Sequence, residues 1–345
     1  MADTSGLRDE IERARDRLAA RLGASPAEIA LTGNATDGIA YVAACLELAP
    51  GDEVIISDQE HPAMYIPWTY AIRRRGVVVR HFRVAEDPEA SLASIRALLS
   101  PRTRVIGTSH VTSPFGVRLP VADVCALAHA HGTLALVDTA QSFAVMPVDV
   151  GAIGCDFLTG NGHKWLGGPK GTGFLFARGE HMERLMPAYV GAGSLLGAGG
   201  DGEGAPELAP GGRRFEFGTR GFATPAGLNF ALDWMDSLGW DEVSARIRAV
   251  STRLKRRLRD VPGVELCTPL AWERSSGLVT FRVPGRDEHE LQADLERHGL
   301  FPRPLSRRSE RIRVSVALFN DEDEVDRLAA RVAAFTERQP PTSAG

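Results

Sequence analysis

Along the chain, short and almost wholly apolar runs alternate with longer segments whose apolar residues recur every three or four positions. Runs at 53–57 (EVIIS), 77–84, 104–109 (RVIGTS), 134–138 (LALVD), 156–159 and 173–176 read as strands, most of them too uniformly apolar for a sheet with one wet face. Segments 7–22, 64–75, 91–99 and 121–131 read as helices; in the first, Leu7, Ile11, Leu18 and Leu22 share one face. A further helix opens after the turn Thr32-Gly33-Asn34, with Ile39, Val42, Ala43 and Leu46 on its apolar side. This alternation predicts an α/β fold, a mostly parallel sheet sandwiched by helices.

Beyond residue 212 the rhythm changes. Helices at 226–238, 243–258, 289–297 and 321–335 mix with strands at 264–266, 278–283 and 312–316, which predicts a smaller α+β domain. We expect a large domain over 1–230 and a small one over 231–345. The stretch 191–212 has many glycines, Pro206 and Pro210, and no apolar period, so it reads as a mobile loop.

Composition narrows the partners more than the fold. At 345 residues, 43% hydrophobic and 24% charged, this is a globular chain long enough for two domains. A net charge of −4 and a pI near 6.2 make no electrostatic case for nucleic acid or an anionic membrane. No apolar run approaches the ~18–20 residues that span a bilayer, and the charged start lacks the apolar core of a signal peptide. The four cysteines are scattered, and Cys45 and Cys125 fall on apolar helix faces, so we expect free thiols and a reducing cytoplasm. The basic clusters Arg73–Arg75 and Lys255–Arg257 read as solvated helix faces.

Of 40 basic residues only Lys164, Lys170 and Lys255 are lysines. Lys164 stands in TGNGHKWLGGPKGTG, between a strand and a Gly-rich turn. Arginine cannot form an imine, whereas a partly buried lysine amine can lose its proton and attack a carbonyl. If that carbonyl belonged to pyridoxal 5'-phosphate, the rest of the chain offers a partner for each part of it. Ala35 and Thr36, at a helix start, suit a phosphate. Asp138, ending a buried-type strand, suits the ring nitrogen, because only the protonated ring is a strong electron sink. Gln141 or Ser113 suits the phenolic oxygen, His61 the ring face, and Arg313 a substrate carboxylate. Such polar residues cluster after strands, where ligands bind in open α/β sheets. No GxGxxG follows a strand, so a dinucleotide fold is not supported, and Gly168–Gly173 lacks the lysine pattern of a phosphate loop.

Read together, these motifs resemble the class V aminotransferase family, fold-type I pyridoxal-phosphate enzymes that include cysteine desulfurases, isopenicillin N epimerase-like proteins and C–S lyases. TGNATDGI, EHPAMYIPW, VDTAQS, GNGHKWLGGPKGTG, RFEFGT and IRVSVALFN carry the resemblance, over about residues 8 to 335. It implies Lys164 as the imine lysine and general base, His61 stacked on the ring, and Asp138 and Gln141 on its nitrogen and phenolic oxygen. Further cofactor contacts are implied for Ala35, Thr36, Ser113, Asn161 and His163. It also implies a homodimer in which Thr219 completes the partner's phosphate site, and Arg313 as the reader of an amino-acid carboxylate. Arg220, Arg303, Arg307 and Arg308 lie near these segments, as readers of a second carboxylate or as solvated surface groups.

Departures from the pattern bear on the reaction. FPRPLSRRSER, where desulfurases carry their nucleophilic cysteine, has none. Asn161 replaces a serine, as in the epimerase-like branch, and Ser113 replaces an asparagine. Family members carry a further segment before the first helix, so either the site is more open here or the start lies upstream. We expect an epimerase- or C–S/β-lyase-type enzyme acting at Cα, with an aminotransferase, a desulfurase-like protein lacking the cysteine and a non-catalytic relative as alternatives.

Overall fold

The computed structural model describes residues 5–196, 207–305 and 310–338; Arg307, Arg308 and the middle of the 191–212 stretch lie outside the described residues. Contacts divide the chain into two compact units, Met1–His110 with Pro120–Trp240, and Val111–Leu119 with Asp241–Gly345.

The first unit runs α1 (Ser5–Leu22), β1 (Ile29–Thr32), α2 (Ala35–Cys45), β2 (Glu53–Ser57), α3 (Pro62–Arg75), β3 (Val78–Phe82), α4 (Pro88–Arg96) and β4 (Thr103–Ser109). It continues with α5 (Val121–Ala130), β5 (Leu134–Asp138), α6 (Val150–Ile153), β6 (Phe157–Asn161), β7 (Gly173–Ala177), α7 (Gly179–Arg184) and α8 (Ala223–Leu238). Among the described residues its sheet has seven strands in the order β1-β7-β6-β5-β4-β2-β3. The five central and outer strands β3, β2, β4, β5 and β6 are parallel, and β7 is antiparallel to both β6 and β1. Strands β2, β5 and β7 are apolar because both faces are covered: Val54, Ile55, Ile56, Leu136 and Leu175 are fully buried. Each such side chain contributes about 1.5–3 kcal/mol of burial.

The second unit contains α9 (Trp240–Arg259), which begins at the boundary, then β8 (Glu265–Leu266), β9 (Leu278–Arg282), α10 (Glu288–Glu296), β10 (Arg303–Pro304), β11 (Arg311–Ser315) and α11 (Glu322–Thr336). Its strands form an antiparallel sheet, β10-β11-β9-β8, packed through Val279, Phe281, Ile312 and Val314 onto helix residues such as Leu254, Leu291 and Val332.

The expected boundary at 230 falls inside α8. That helix is held to α1: Asn229 Nδ2 donates to Glu10 Oε2 at 2.6 Å and Arg13 Nη2 to Asp233 Oδ2 at 2.8 Å. The segment 111–119 joins the second unit through its backbone, because Thr268 Oγ1 and Thr280 Oγ1 donate to the carbonyls of Phe115 and Pro114 at 2.5 and 2.7 Å. Lys255 corrects the reading of Lys255–Arg257 as a solvated face. Arg256 and Arg257 are exposed, but Lys255 is fully buried, with Nζ 2.5 Å from Ser275 Oγ. Burial lowers its ammonium to about 8, against the opposing charge of Glu273.

One buried ion pair fastens the first unit. Arg15 on α1 donates from Nη1 and Nη2 to Glu216 Oε1 and Oε2 at 2.7 and 3.0 Å, and Glu216 Oε1 also accepts from Leu31 N of β1 at 2.8 Å. Glu216→Ala leaves the buried Arg15 with only Glu12 Oε2 at 2.9 Å and Ile29 O at 2.7 Å and leaves a β1 donor unpaired, so it should destabilise by about 3 kcal/mol in urea unfolding. A loss below ~1 kcal/mol would contradict this role.

Candidate active site

In the first unit the parallel strands bring Ser57, Ser109, Asp138 and Asn161 to one edge of the sheet, at the carboxyl ends of β2, β4, β5 and β6. Antiparallel pairing of β7 with both neighbours sets Thr32, the end of β1, on that same edge, since Gly173 pairs with Thr32 and with Asn161. The order reverses at β2, with β3 on one side and β4 to β6 on the other. That reversal is where open α/β sheets leave a crevice.

The turn after β1 is built by its own polar groups. Thr32 Oγ1 donates to Asn34 O at 2.8 Å, Gly33 N to Asp37 Oδ2 at 2.8 Å, and Asp37 N to the capping Asn34 Oδ1 at 3.0 Å. Ala35 N, expected to face a phosphate, donates instead to Asn161 Oδ1 at 2.8 Å, which ties the start of α2 to the end of β6. Thr36 is exposed at this helix start, with its hydroxyl and the positive end of α2 available to an anion. Close packing demands glycine here: a Cβ on Gly173 would lie 2.5 Å from Asn34 Cα. Beside the turn is a cavity of about 230 Å3 lined by Thr32, Gly33, Thr172, Gly173 and Arg220. Arg220 Nη2 donates to Leu31 O at 2.6 Å.

After β6 the chain folds back on itself before β7. Gly162 N donates to Thr172 O at 2.9 Å, Gly168 N to Gly162 O at 2.8 Å and Gly167 N to Lys164 O at 3.1 Å. This tight loop carries Lys164 half-buried, near enough to Asp138 for its ammonium to act on that carboxyl. Asp138 is buried and accepts from Ala140 N through Oδ1 at 2.8 Å. Burial pushes the Asp138 carboxyl up, while Lys164 and the Ala140 N–H pull it down. His163 Nδ1 lies 3.3 Å from Thr172 O, which directs its other ring nitrogen away from the loop.

Two flanking side chains are oriented by what they already bond. Gln141 Oε1 accepts from Trp165 Nε1 at 3.0 Å, so its amide N–H groups remain as donors. His61 caps α3, its Nδ1 accepting from Ala63 N at 3.1 Å, which assigns the proton to Nε2 and leaves the ring exposed. Thr219 is exposed.

The second unit holds Arg313 and Ser113. Arg313 Nη1 donates to Ser113 O at 2.7 Å and Ser113 Oγ at 3.0 Å, committing the hydroxyl expected at a phenolic oxygen. Arg313 Nε is buried with no hydrogen-bond partner among the described residues, a donor suited to a carboxylate. Burial, and the charge of Arg303 opposite it on the β10–β11 ladder, lower the guanidinium to about 10.

The side chains present fit pyridoxal 5'-phosphate: a buried carboxylate, an amine within its field, an amide with free donors, and a helix start with an exposed hydroxyl. Sequence reading passed over Glu60, which joins Ser57 and Ser109 at this edge. Its signal was available, since it follows a strand just as Asp138 ends one. No cluster of metal-ligating side chains occurs among the described residues, and none of their helices is long and apolar enough to cross a membrane.

Comparison with known proteins agrees with this chemistry. The sequence model of the family described as Aminotransferase class-V matches residues 4–328. The chain is 35% identical over 343 residues to isopenicillin N epimerase of Streptomyces clavuligerus, covering 94% of this chain and 84% of that one. It is 32% identical to a cysteine desulfurase of Cronobacter sakazakii, covering 93% and 81%. Among solved structures, the cystine C–S lyase C-DES with its product cysteine persulfide superposes with a TM-score of 0.89 at 30% identity, covering 96% of this chain and 88% of that one. A lysine-to-alanine variant of C-DES, with glycine covalently linked to its PLP cofactor, gives a TM-score of 0.88 at 30% identity, covering 96% and 87%.

Proposed function

This chain belongs to the class V aminotransferase family of pyridoxal-phosphate-dependent enzymes, and on that premise we propose that it acts at Cα of an amino acid, as an epimerase- or C–S-lyase-type enzyme. The observation that carries the reading is the half-buried Lys164 within the field of buried Asp138, at the carboxyl edge of the sheet.

When bound, the cofactor would supply a carbonyl group and a ring that draws electron density from the substrate. Lys164 would take the Cα proton as general base. Asp138, held by Ala140 N, would supply the negative charge for the ring nitrogen. Gln141 directs N–H donors because Trp165 occupies its oxygen, and His61 offers a flat face fixed by its cap bond. Arg313, in the second unit, offers its unfilled Nε to a carboxylate. An enzyme-bound persulfide is not part of the proposal, because 301–311 contains no cysteine, Cys45, Cys125 and Cys155 are buried, and half-buried Cys267 lies just after β8 with Sγ 3.8 Å from Glu265 O.

We further place Thr219 across a homodimer interface, supported by its exposure on the RFEFGT segment, and the protein in the cytoplasm, supported by its free thiols. An L-amino-acid panel incubated in heavy water tests the reaction. Deuteration at Cα with racemisation marks an epimerase, and pyruvate with ammonia from a sulfur amino acid marks a lyase. A keto acid with aminated cofactor marks a transaminase and overturns the proposal, as does the absence of Cα exchange with every substrate.

A further inference from the structure

Glu60 lies between β2 and His61 and has no part in the steps above. Its Oε1 accepts from Ser57 Oγ at 2.6 Å and Ser109 N at 2.9 Å, and its Oε2 meets Ser109 Oγ at 2.5 Å. These contacts staple the ends of β2 and β4 at the point where the strand order reverses. Ser109 is in turn the ladder partner of Asp138, whose charge bears on Glu60. Two carboxyl groups, half-buried Glu60 after β2 and buried Asp138 on β5, therefore stand on one edge of the sheet with β4 and its Ser109 between them.

We propose that Glu60 is a positioning residue for Asp138: pinned between Ser57 and Ser109, the ladder partner of Asp138, its carboxyl sets how much negative charge stands behind the ring nitrogen of the cofactor. This rests on the pyridoxal-phosphate reading. Three donors would ordinarily keep a carboxyl ionised. Here burial outweighs them, with the Asp138 charge adding to it, and the group is held up to about 7 from an ordinary 4.5. Neutral Glu60 donates its proton to Ser109 Oγ and leaves Asp138 as the lone anion of the pair. Ionised Glu60 adds a second negative charge, which raises the proton affinity of Asp138 and of a ring nitrogen bonded to it.

The other groups facing this edge are few. Lys164 acts on Asp138, and His61 follows Glu60 directly. His81 of β3 places Nδ1 3.5 Å from Ser57 O, and His110 follows Ser109. Asp58 is engaged elsewhere, its Oδ1 accepting from Val84 N at 3.0 Å. A purely structural staple would need the hydrogen bonds but not the proton, and glutamine would serve it.

The test is a pH titration of the visible absorbance of the holoenzyme, with Glu60→Gln and Ser109→Ala beside the wild type. The wild-type spectrum should change with a midpoint near 7, Glu60→Gln should lose that change while remaining yellow, and Ser109→Ala should move it upward by about one pH unit, the effect of losing a hydroxyl donor to a carboxylate. The apo-protein gives a second readout. Glu60 contributes stability that is fully present below 4.5 and lost as pH rises through 7, so the Tm of the wild type relative to Glu60→Gln should fall across that window. A yellow enzyme that titrates identically with and without Glu60 overturns the inference alone; a colourless wild type overturns the cofactor reading and the inference with it. If Glu60→Gln does not fold, an unmoved midpoint in Ser109→Ala overturns it.

Discussion

Lys164→Ala should leave a protein that still takes up pyridoxal 5'-phosphate but no longer holds it covalently, with kcat lower by a factor on the order of 10⁴. The loss is large because one side chain has two duties, anchoring the cofactor and moving the Cα proton. Both depend on a primary amine that arginine cannot replace. Noncovalent uptake should survive, because Asp138, the Gln141 amide and the start of α2 are positioned by bonds that do not involve Lys164. A small exogenous amine should restore part of the activity. Lys170 is the natural control: it is exposed in the same loop, and Lys170→Ala should retain activity. Equal losses in the two variants would show that the loop, not the amine, matters.

Asp138→Asn should lower kcat by about 10²–10³, the cost of removing one preorganised charge from a developing charge in a covered site. Asparagine has the same shape, and its oxygen can keep the bond from Ala140 N, now 2.8 Å to Asp138 Oδ1. The loss should therefore appear in kcat and in Cα–H exchange, with the cofactor still attached to Lys164 and Tm little changed. A variant with unaltered exchange would remove Asp138 from the chemistry.

The strands most legible in the sequence are those covered on both faces. The run EVIIS predicts 53–57 and LALVD predicts 134–138, and β2 and β5 have those bounds, because an apolar run bounded by turn residues has few other uses. Short elements left no such signal. The four residues of α6 and the two of β10 are too few for a period to show, and neither is foreseen. Pairing was also hidden: nothing in IALT says that β1 joins the sheet antiparallel to β7, which is what carries Thr32 and Asn34 to the edge that holds Asp138.

At the site, residues whose chemistry is rare in context stood out, and residues whose role depends on neighbours did not. Lys164 is legible because lysine is scarce, and Asp138 because it ends an apolar strand. Asn161 reads as a cofactor contact just beyond a strand ending at 159, yet β6 runs on through it and its side chain accepts from Ala35 N. Lys255 reads as surface because it stands beside two arginines; the helical turn that exposes Arg256 and Arg257 points it inward. Glu60 shows its place after β2 in the sequence but not its partner, since only the fold brings Ser109 to it.

The central claim, that Lys164 carries the cofactor as an imine, can be measured on the wild-type protein without any variant. The holoenzyme is reduced with borohydride and digested, and its peptides are read by mass spectrometry. With only Lys164, Lys170 and Lys255 in the chain, the modified position is unambiguous. The account predicts the pyridoxyl-phosphate mass on the peptide containing Lys164 and bleaching of the visible band. Label on Lys170 or Lys255, or none on any lysine of a cofactor-loaded protein, would contradict it.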